Sequence, residues 1–142
     1  MRTRFAIVAA LLGLAVLLAG CGGGGKSSKA DYVKANESLF KSLPAYPQEK
    51  VASEGTSTYT GTSNSVGYET RFNLTLPEKA TVDTLQSFFA GHLQPDWKLV
   101  AQLDGPVLNF RKGNAFISVN LTGAHGHRAQ VTVDQAFYTH TG

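Results

Sequence analysis

The sequence predicts an α+β fold: a single domain in which an antiparallel sheet carries helix packed on one face. Three observations predict it. Two segments repeat apolar residues at helical spacing, and six others alternate apolar with polar residues or are rich in β-formers. From Trp97 onward the strand-like segments follow one another through short turns such as Asp104-Gly105 and Gly113-Asn114, which suit hairpins rather than crossovers. The chain has 142 residues, and once an apolar leader is set aside the remainder suits one domain with one modest core. No internal repeat is visible.

The elements follow in the order α-β-β-α-β-β-β-β. From Asp31 to Leu43 a stripe of Tyr32, Ala35, Leu39 and Leu43, with Val33 and Phe40 beside it, turns Lys34, Glu37 and Lys41 away, and Pro44 and Pro47 end the helix. Val51–Thr60 reads as a weaker strand. Residues 53–65 hold eight Ser/Thr in thirteen, which predicts an edge strand running into a loop. Tyr68, Thr70, Phe72, Leu74 and Leu76 alternate with polar neighbours, so this strand has one buried face and one wet face. Thr81 is the expected N-cap of a helix over 81–93 that carries Val82, Leu85, Phe88, Phe89 and Leu93, with Gly91 and Pro95 marking its end. Four strands remain: 97–103, 107–112 with Leu108 and Phe110 on one face, 115–121 with Ala115, Ile117, Val119 and Leu121, and a last one with Ala129, Val131 and Val133 reaching towards Tyr138.

The first twenty residues are of another kind. Met1-Arg-Thr-Arg4 is a positive start, and the apolar run Phe5–Gly20, sixteen residues, falls short of the ~20 needed to cross a bilayer. Leu18-Ala19-Gly20-Cys21 resembles, at every position, the lipobox of bacterial lipoprotein signal peptides. That resemblance implies diacylglycerol on the Cys21 sulfur, cleavage between Gly20 and Cys21, and further acylation, for instance by palmitate, of the new amine. Cys21 is the one cysteine in the chain, so no intramolecular disulfide can form. The expected organisation is a cleaved signal peptide over 1–20, a lipidated Cys and Gly/Ser/Lys tether over 21–29, and one domain over 30–139. Several acyl chains at ~0.8 kcal/mol per buried methylene give stable anchoring on the extracytoplasmic face of the cell membrane or envelope.

A second resemblance covers about residues 43–121. Pro44-Ala-Tyr46-Pro47, Phe88-Phe89 and Asp96-Trp97, followed by Phe110-Arg-Lys-Gly113, are similar to small exported bacterial domains of the uncharacterised "Tyr-Pro-Gly-Ala / Phe-Tyr / Gly-Trp" type. Gln48-Glu49 departs from the pattern's Gly-Ala, and Asp96 from its Gly. The resemblance brings no catalytic residue with it.

The residues themselves offer little chemistry. Arg2 and Arg4 lie in the leader, so the rest sets 11 Lys+Arg against 10 Asp+Glu, too even a balance for a nucleic-acid partner. His125 and His127 have an i, i+2 spacing, but a zinc site takes three or four ligands, and His92 and His140 stand elsewhere in the sequence, so no metal is expected. The glycines after Cys21 follow no strand and open no P-loop, and no cofactor is expected. No serine sits in a Gly-x-Ser-x-Gly elbow. Glu49, Glu54, Glu69, Glu78, Asp83, Asp96, Asp104 and Asp134 are read as solvated charges in turns or on polar faces. The sequons at Asn36, Asn73 and Asn120 carry no weight behind a bacterial lipobox. Phe88, Phe89 and Trp97 fit core packing better than a ligand groove. Tyr46, in a proline turn, and Tyr59, in a Ser/Thr-rich strand, are the aromatics expected at a binding surface. The expected function is a lipid-anchored extracytoplasmic lipoprotein, a non-catalytic binding or accessory module of the cell envelope that meets an envelope protein or a small ligand. The alternatives are a small envelope hydrolase, or a domain that only packs against a partner through the strand near 51–60.

Overall fold

The computed structural model describes residues 27–62, 64–102 and 105–141; the leader, Gly20 and Cys21 lie outside the described residues. The chain is a single α+β domain. Its elements are α1 (Lys29–Ser42), β1 (Lys50–Thr60), β2 (Val66–Thr75), α2 (Val82–Leu93), β3 (Lys98–Gln102), β4 (Val107–Lys112), β5 (Ala115–Asn120), a 3-10 turn at Ala124–Gly126, β6 (Arg128–Asp134) and a short α3 (Phe137–Thr141). The six strands form one sheet in the order β1-β2-β6-β5-β4-β3, and every pairing is antiparallel. The expected α-β-β-α-β-β-β-β order holds with one addition, α3, where the sequence was expected to continue extended towards Tyr138.

Both long helices begin at reciprocal caps. Ser28 accepts from the Asp31 N–H while its own N–H donates to the Asp31 carboxylate at 2.8 Å, so the helix opens one residue before the expected domain start. Hydrogen bonds from the Ser28 backbone and hydroxyl hold the Asp31 carboxyl below its ordinary pKa. Thr81 and Thr84 cap α2 in the same way, at the expected residue.

Strand alternation decides which sheet face is covered. Phe72 and Leu74 of β2, Leu108 and Phe110 of β4, Ile117 and Val119 of β5, and Ala129, Val131 and Val133 of β6 are all buried in one cluster, with Leu85, Phe89 and Leu93 of α2. Helix α1 runs along β2. Four residues of helix rise ~6 Å and two of strand ~6.6 Å, so Tyr32, Asn36 and Phe40 keep step with Tyr68, Thr70 and Phe72. Tyr32 lies 5.1 Å from Tyr68 between ring centroids, and Phe40 stacks on Phe72 at 3.8 Å. The stripe that lies over β2 is therefore 32-36-40, with the expected Leu39 and Leu43 packed against the same cluster and Asn36 an unexpected member. Asn36 is 0% exposed: its amide donates to the Tyr68 carbonyl at 2.9 Å and to Thr70 Oγ1 at 3.1 Å, and its oxygen accepts from the Gln135 N–H at 2.8 Å.

Trp97 is 7% exposed and belongs to the buried cluster, and its N–H is held by the Leu93 carbonyl at 2.9 Å. Trp97→Ala is expected to cost ~3–5 kcal/mol, because the ring leaves a cavity that the sheet cannot fill. Thermal or urea unfolding measures this, and an unchanged midpoint would contradict the burial.

Candidate functional site

With α1 and α2 on one face, one end of the other face carries polar side chains. Ser53, Asn73, Gln130 and Asn120 come from four adjacent strands and lie in a row, since Ser53 pairs with Asn73, Asn73 with Gln130 and Gln130 with Asn120. Asn73 Nδ2 donates to Ser53 Oγ and Gln130 Nε2 donates to Asn73 Oδ1, both at 2.9 Å, which fixes the orientation of each amide. This row borders an open concavity of ≈ 550 Å³, with Thr75, Thr122 and Arg128 on its walls. Hydroxyls, amides and one guanidinium share this surface with Ala52, Leu74 and Ala129, so hydrogen-bonding groups stand beside apolar ones.

The opposite end of the same face is closed. Beyond Asp134 the chain leaves the sheet and α3 covers the strand ends: Phe137 stacks on Phe116 at 4.7 Å, and the Arg111 guanidinium lies 3.9 Å over the Tyr138 ring. Beneath it Tyr59 donates a short hydrogen bond to Asp134 Oδ2, while Asp134 Oδ1 accepts from the Ala136 N–H at 2.8 Å. The ring of Tyr59 lies across Gly67, where an added Cβ would fall 2.1 Å from Tyr59 Cζ, so only glycine fits. Asp134 is 2% exposed and His140 8% exposed. Burial pushes the Asp134 carboxyl above its ordinary pKa, with the bonds from Tyr59 and Ala136 pulling it back; burial, then the neighbouring carboxylate, pushes the Tyr59 phenol strongly upward. Neither ring nitrogen of His140 has a hydrogen-bond partner among the described residues, and its ring packs against Tyr32 and Tyr59 at 5.5 and 6.3 Å. Asp134 and His140 are enclosed, and Tyr59 is half-buried between them and α3. Together they hold α3 on the sheet.

Two expectations are corrected here. Asp134 is a buried hydrogen-bond acceptor rather than a solvated charge, and Asn36, read only as part of a sequon, is fully enclosed. Tyr46 and Tyr59 are both half-buried, and the phenol of each is engaged, Tyr46 with Thr84 Oγ1 at 3.3 Å. They are not brought together: Tyr46 packs edge-on to Phe88 at 5.2 Å just before β1, and Tyr59 lies near the end of that strand, ~30 Å away at ~3.3 Å per residue. His125 is exposed, while His127 turns through φ 55° and is partly enclosed. Among the described residues no three His, Cys, Asp or Glu side chains converge as metal ligands. Compared with protein-family models, curated proteins and solved structures, the chain matches none.

Tyr59→Phe removes the donor to Asp134 Oδ2 and is expected to cost about 1–3 kcal/mol at neutral pH. That bond lowers the folded-state pKa of Asp134, so its contribution exists where the carboxyl is ionised and is lost as pH falls through that pKa. The gap between wild type and Tyr59→Phe in unfolding free energy should narrow as the pH falls from 7 to 4; a constant gap would mean that the phenol acts through packing alone.

Proposed function

We propose that this chain is a lipid-anchored extracytoplasmic lipoprotein whose domain is a non-catalytic binding or accessory module of the bacterial cell envelope. The anchor half of the reading rests on Leu18-Ala19-Gly20-Cys21. A flexible Gly/Ser/Lys tether over 21–29, as its composition suggests, would reach ~15 Å at ~5–6 Å × √n, enough to hold the domain clear of lipid headgroups. Lys26 and Lys29 add weak attraction to anionic lipid, about 1 kcal/mol each at most. Among the described residues no helix is long and apolar enough to cross a membrane.

The observation that carries the binding half is the uncovered sheet face, with its Ser53-Asn73-Gln130 row hydrogen-bonded in place before any ligand arrives. Strand β1 favours a second reading, pairing with a partner's extended segment, because it is an edge strand of 11 residues, nine of them exposed. The bulge between Val51 and Ser53, with Lys50 and Glu54 beside it, blunts that edge against indiscriminate pairing.

Two measurements test the proposal. Intact mass with labelled fatty-acid incorporation should show a wild-type chain that begins at Cys21 and carries acyl mass, and a Cys21→Ala chain that carries none and keeps its leader. An unmodified mature wild-type terminus would return the protein to the freely secreted class. A photo-crosslinking residue at Thr75, on the open face, should give a discrete adduct in intact cells, whereas one at Ser87 on the exposed side of α2 should not; the reverse pattern would move the binding surface to the helices.

A further inference from the structure

The free hydrogen-bonding groups of the concavity on the polar face are mostly donors. Thr122 decides the orientation of Asn120. Its backbone N–H can only donate, so the atom it meets at 2.9 Å is Asn120 Oδ1, which also accepts from the Thr122 hydroxyl. Asn120 Nδ2 therefore keeps both its N–H bonds unpartnered and open to the concavity. Along the same row Gln130 Nε2 donates to Asn73 Oδ1, and Asn73 Nδ2 donates to Ser53 Oγ. Each of these amides spends one N–H and keeps the other, and Gln130 Oε1 is left without a partner.

The charge is biased the same way. Arg128 lines the concavity and belongs to neither ion pair among the described residues, Arg71–Glu69 and Lys112–Asp96. Lys50 stands opposite Thr75 and Thr75 opposite Arg128, so two unpaired cations flank one hydroxyl beside the amide row. No carboxylate lines this concavity among the described residues. The two acids nearest along the chain lie on the helix-covered side. Glu54 is opposite Phe72, and Glu49 borders a second, apolar concavity of ≈ 220 Å³, with its Oε2 buried there and unpartnered. A cationic, donor-rich surface beside the small apolar contacts of Ala52 and Ala129 is complementary to oxygen acceptors carried on a short carbon frame.

We propose that this end of the sheet face binds a small hydroxylated oxyanion, a carboxylate or phosphate ester of a sugar or polyol. Its anionic oxygens take the Arg128 guanidinium, whose planar fork meets either oxyanion with two parallel bonds. Its neutral oxygens accept from Asn120, Gln130 and Asn73, and one of its hydroxyls donates to Gln130 Oε1. The size agrees. Four adjacent strands at ~4.8 Å give the row a length of ~14 Å, and the ≈ 550 Å³ of the concavity falls within the ~300–1,000 Å³ of small-ligand clefts. The proposal rests on the reading of this face as the binding surface and adds the class of ligand to it.

The test titrates the full chain in nonionic detergent with D-glucuronate against D-glucose and with glycerol 3-phosphate against glycerol, reading the side-chain amide resonances of Asn73, Asn120 and Gln130. At least one anion should shift these amides saturably and bind at least about tenfold more tightly than its neutral counterpart, and Arg128→Gln should weaken it about tenfold. Asn120→Asp keeps the acceptor for the Thr122 N–H, exchanges the free donors for negative charge and should weaken binding by at least as much. Lys34→Gln, the same loss of charge on α1, should bind as wild type does. The tighter anion shows which of the two oxyanions the site takes. No saturable shift with either anion, an unaffected Arg128→Gln or Asn120→Asp, or equal weakening in Lys34→Gln would each overturn the proposal. Glucose or glycerol binding as tightly as its anion at the same amides would overturn the ligand class and keep the face as the binding surface. The Thr75 crosslink reads that face without assuming a ligand, so the two failures are distinguishable.

Discussion

Everything in this fold depends on the pairing of β2 with β6. The last strand of the chain is the third strand of the sheet, with the β1–β2 hairpin on one side and the β5-β4-β3 meander on the other. Without β6 there is no single sheet. Its register is fixed twice over, since Val131 faces both Phe72 and Val119, and Val133 faces both Thr70 and Ile117. A slip by one residue would put Ala129, Val131 and Val133 on the wet face and Gln130 and Thr132 in the core, and both neighbours oppose it. The cost is kinetic, because β2 must wait for a strand more than fifty residues away, and such long closures slow folding.

Asn36 secures that junction from above. Its three hydrogen bonds reach β2 twice and the residue just after β6 once, so one side chain on α1 ties together the two strands that the sheet most needs joined. At the same end α3 finishes the work by covering the part of β2 that β6 does not reach. The close approach there is steric as much as polar: a Cβ on Gly61 would sit 1.4 Å from the His140 carbonyl oxygen, so the β1–β2 turn and α3 are pressed backbone to backbone. The buried Asp134 carboxylate is tolerated because Tyr59 and the Ala136 N–H both donate to it.

Much of this was legible in the residues, and the reason is alternation. A β-strand with one wet face writes its burial into every second residue, so Phe72/Leu74, Leu108/Phe110, Ile117/Val119 and Val131/Val133 announce the core directly. Thr81 announces a cap because its hydroxyl has a backbone task. What the sequence hid are residues whose type contradicts their place. Asn36 and Asp134 are polar types buried by partners distant in sequence, and no local pattern names those partners. The segment Phe137–Thr141 is too short to show a helical period, so α3 passed for the continuation of a strand. Tyr46 and Tyr59 sit among turn formers and hydroxyls, which suggests exposure, yet Phe88 covers the first and α3 the second. Glu49 was counted among the solvated carboxylates, and the signal that sets it apart, Gln48 and Glu49 standing where the Tyr-Pro-Gly-Ala pattern has a glycine and a small residue, has physical meaning only once φ at Gln48 is known.

The direction of α1 sets which end of the domain its first residue occupies. Its first turn lies by Tyr68 and His140, the α3 end of the sheet, and its last turn lies near Val51 and Phe89. A helix of 14 residues spans ~21 Å, about two-thirds of the ~30 Å of the ten-residue strand it follows. Both concavities, the polar one beside Ser53, Thr75 and Arg128 and the apolar one beside Glu49, lie at the end where α1 finishes and β2 runs out. The cap residue Ser28 therefore lies at the closed Tyr59–Asp134–His140 end of the domain, and both concavities lie at the other, so the helix that opens the fold runs from its sealed end to its open one.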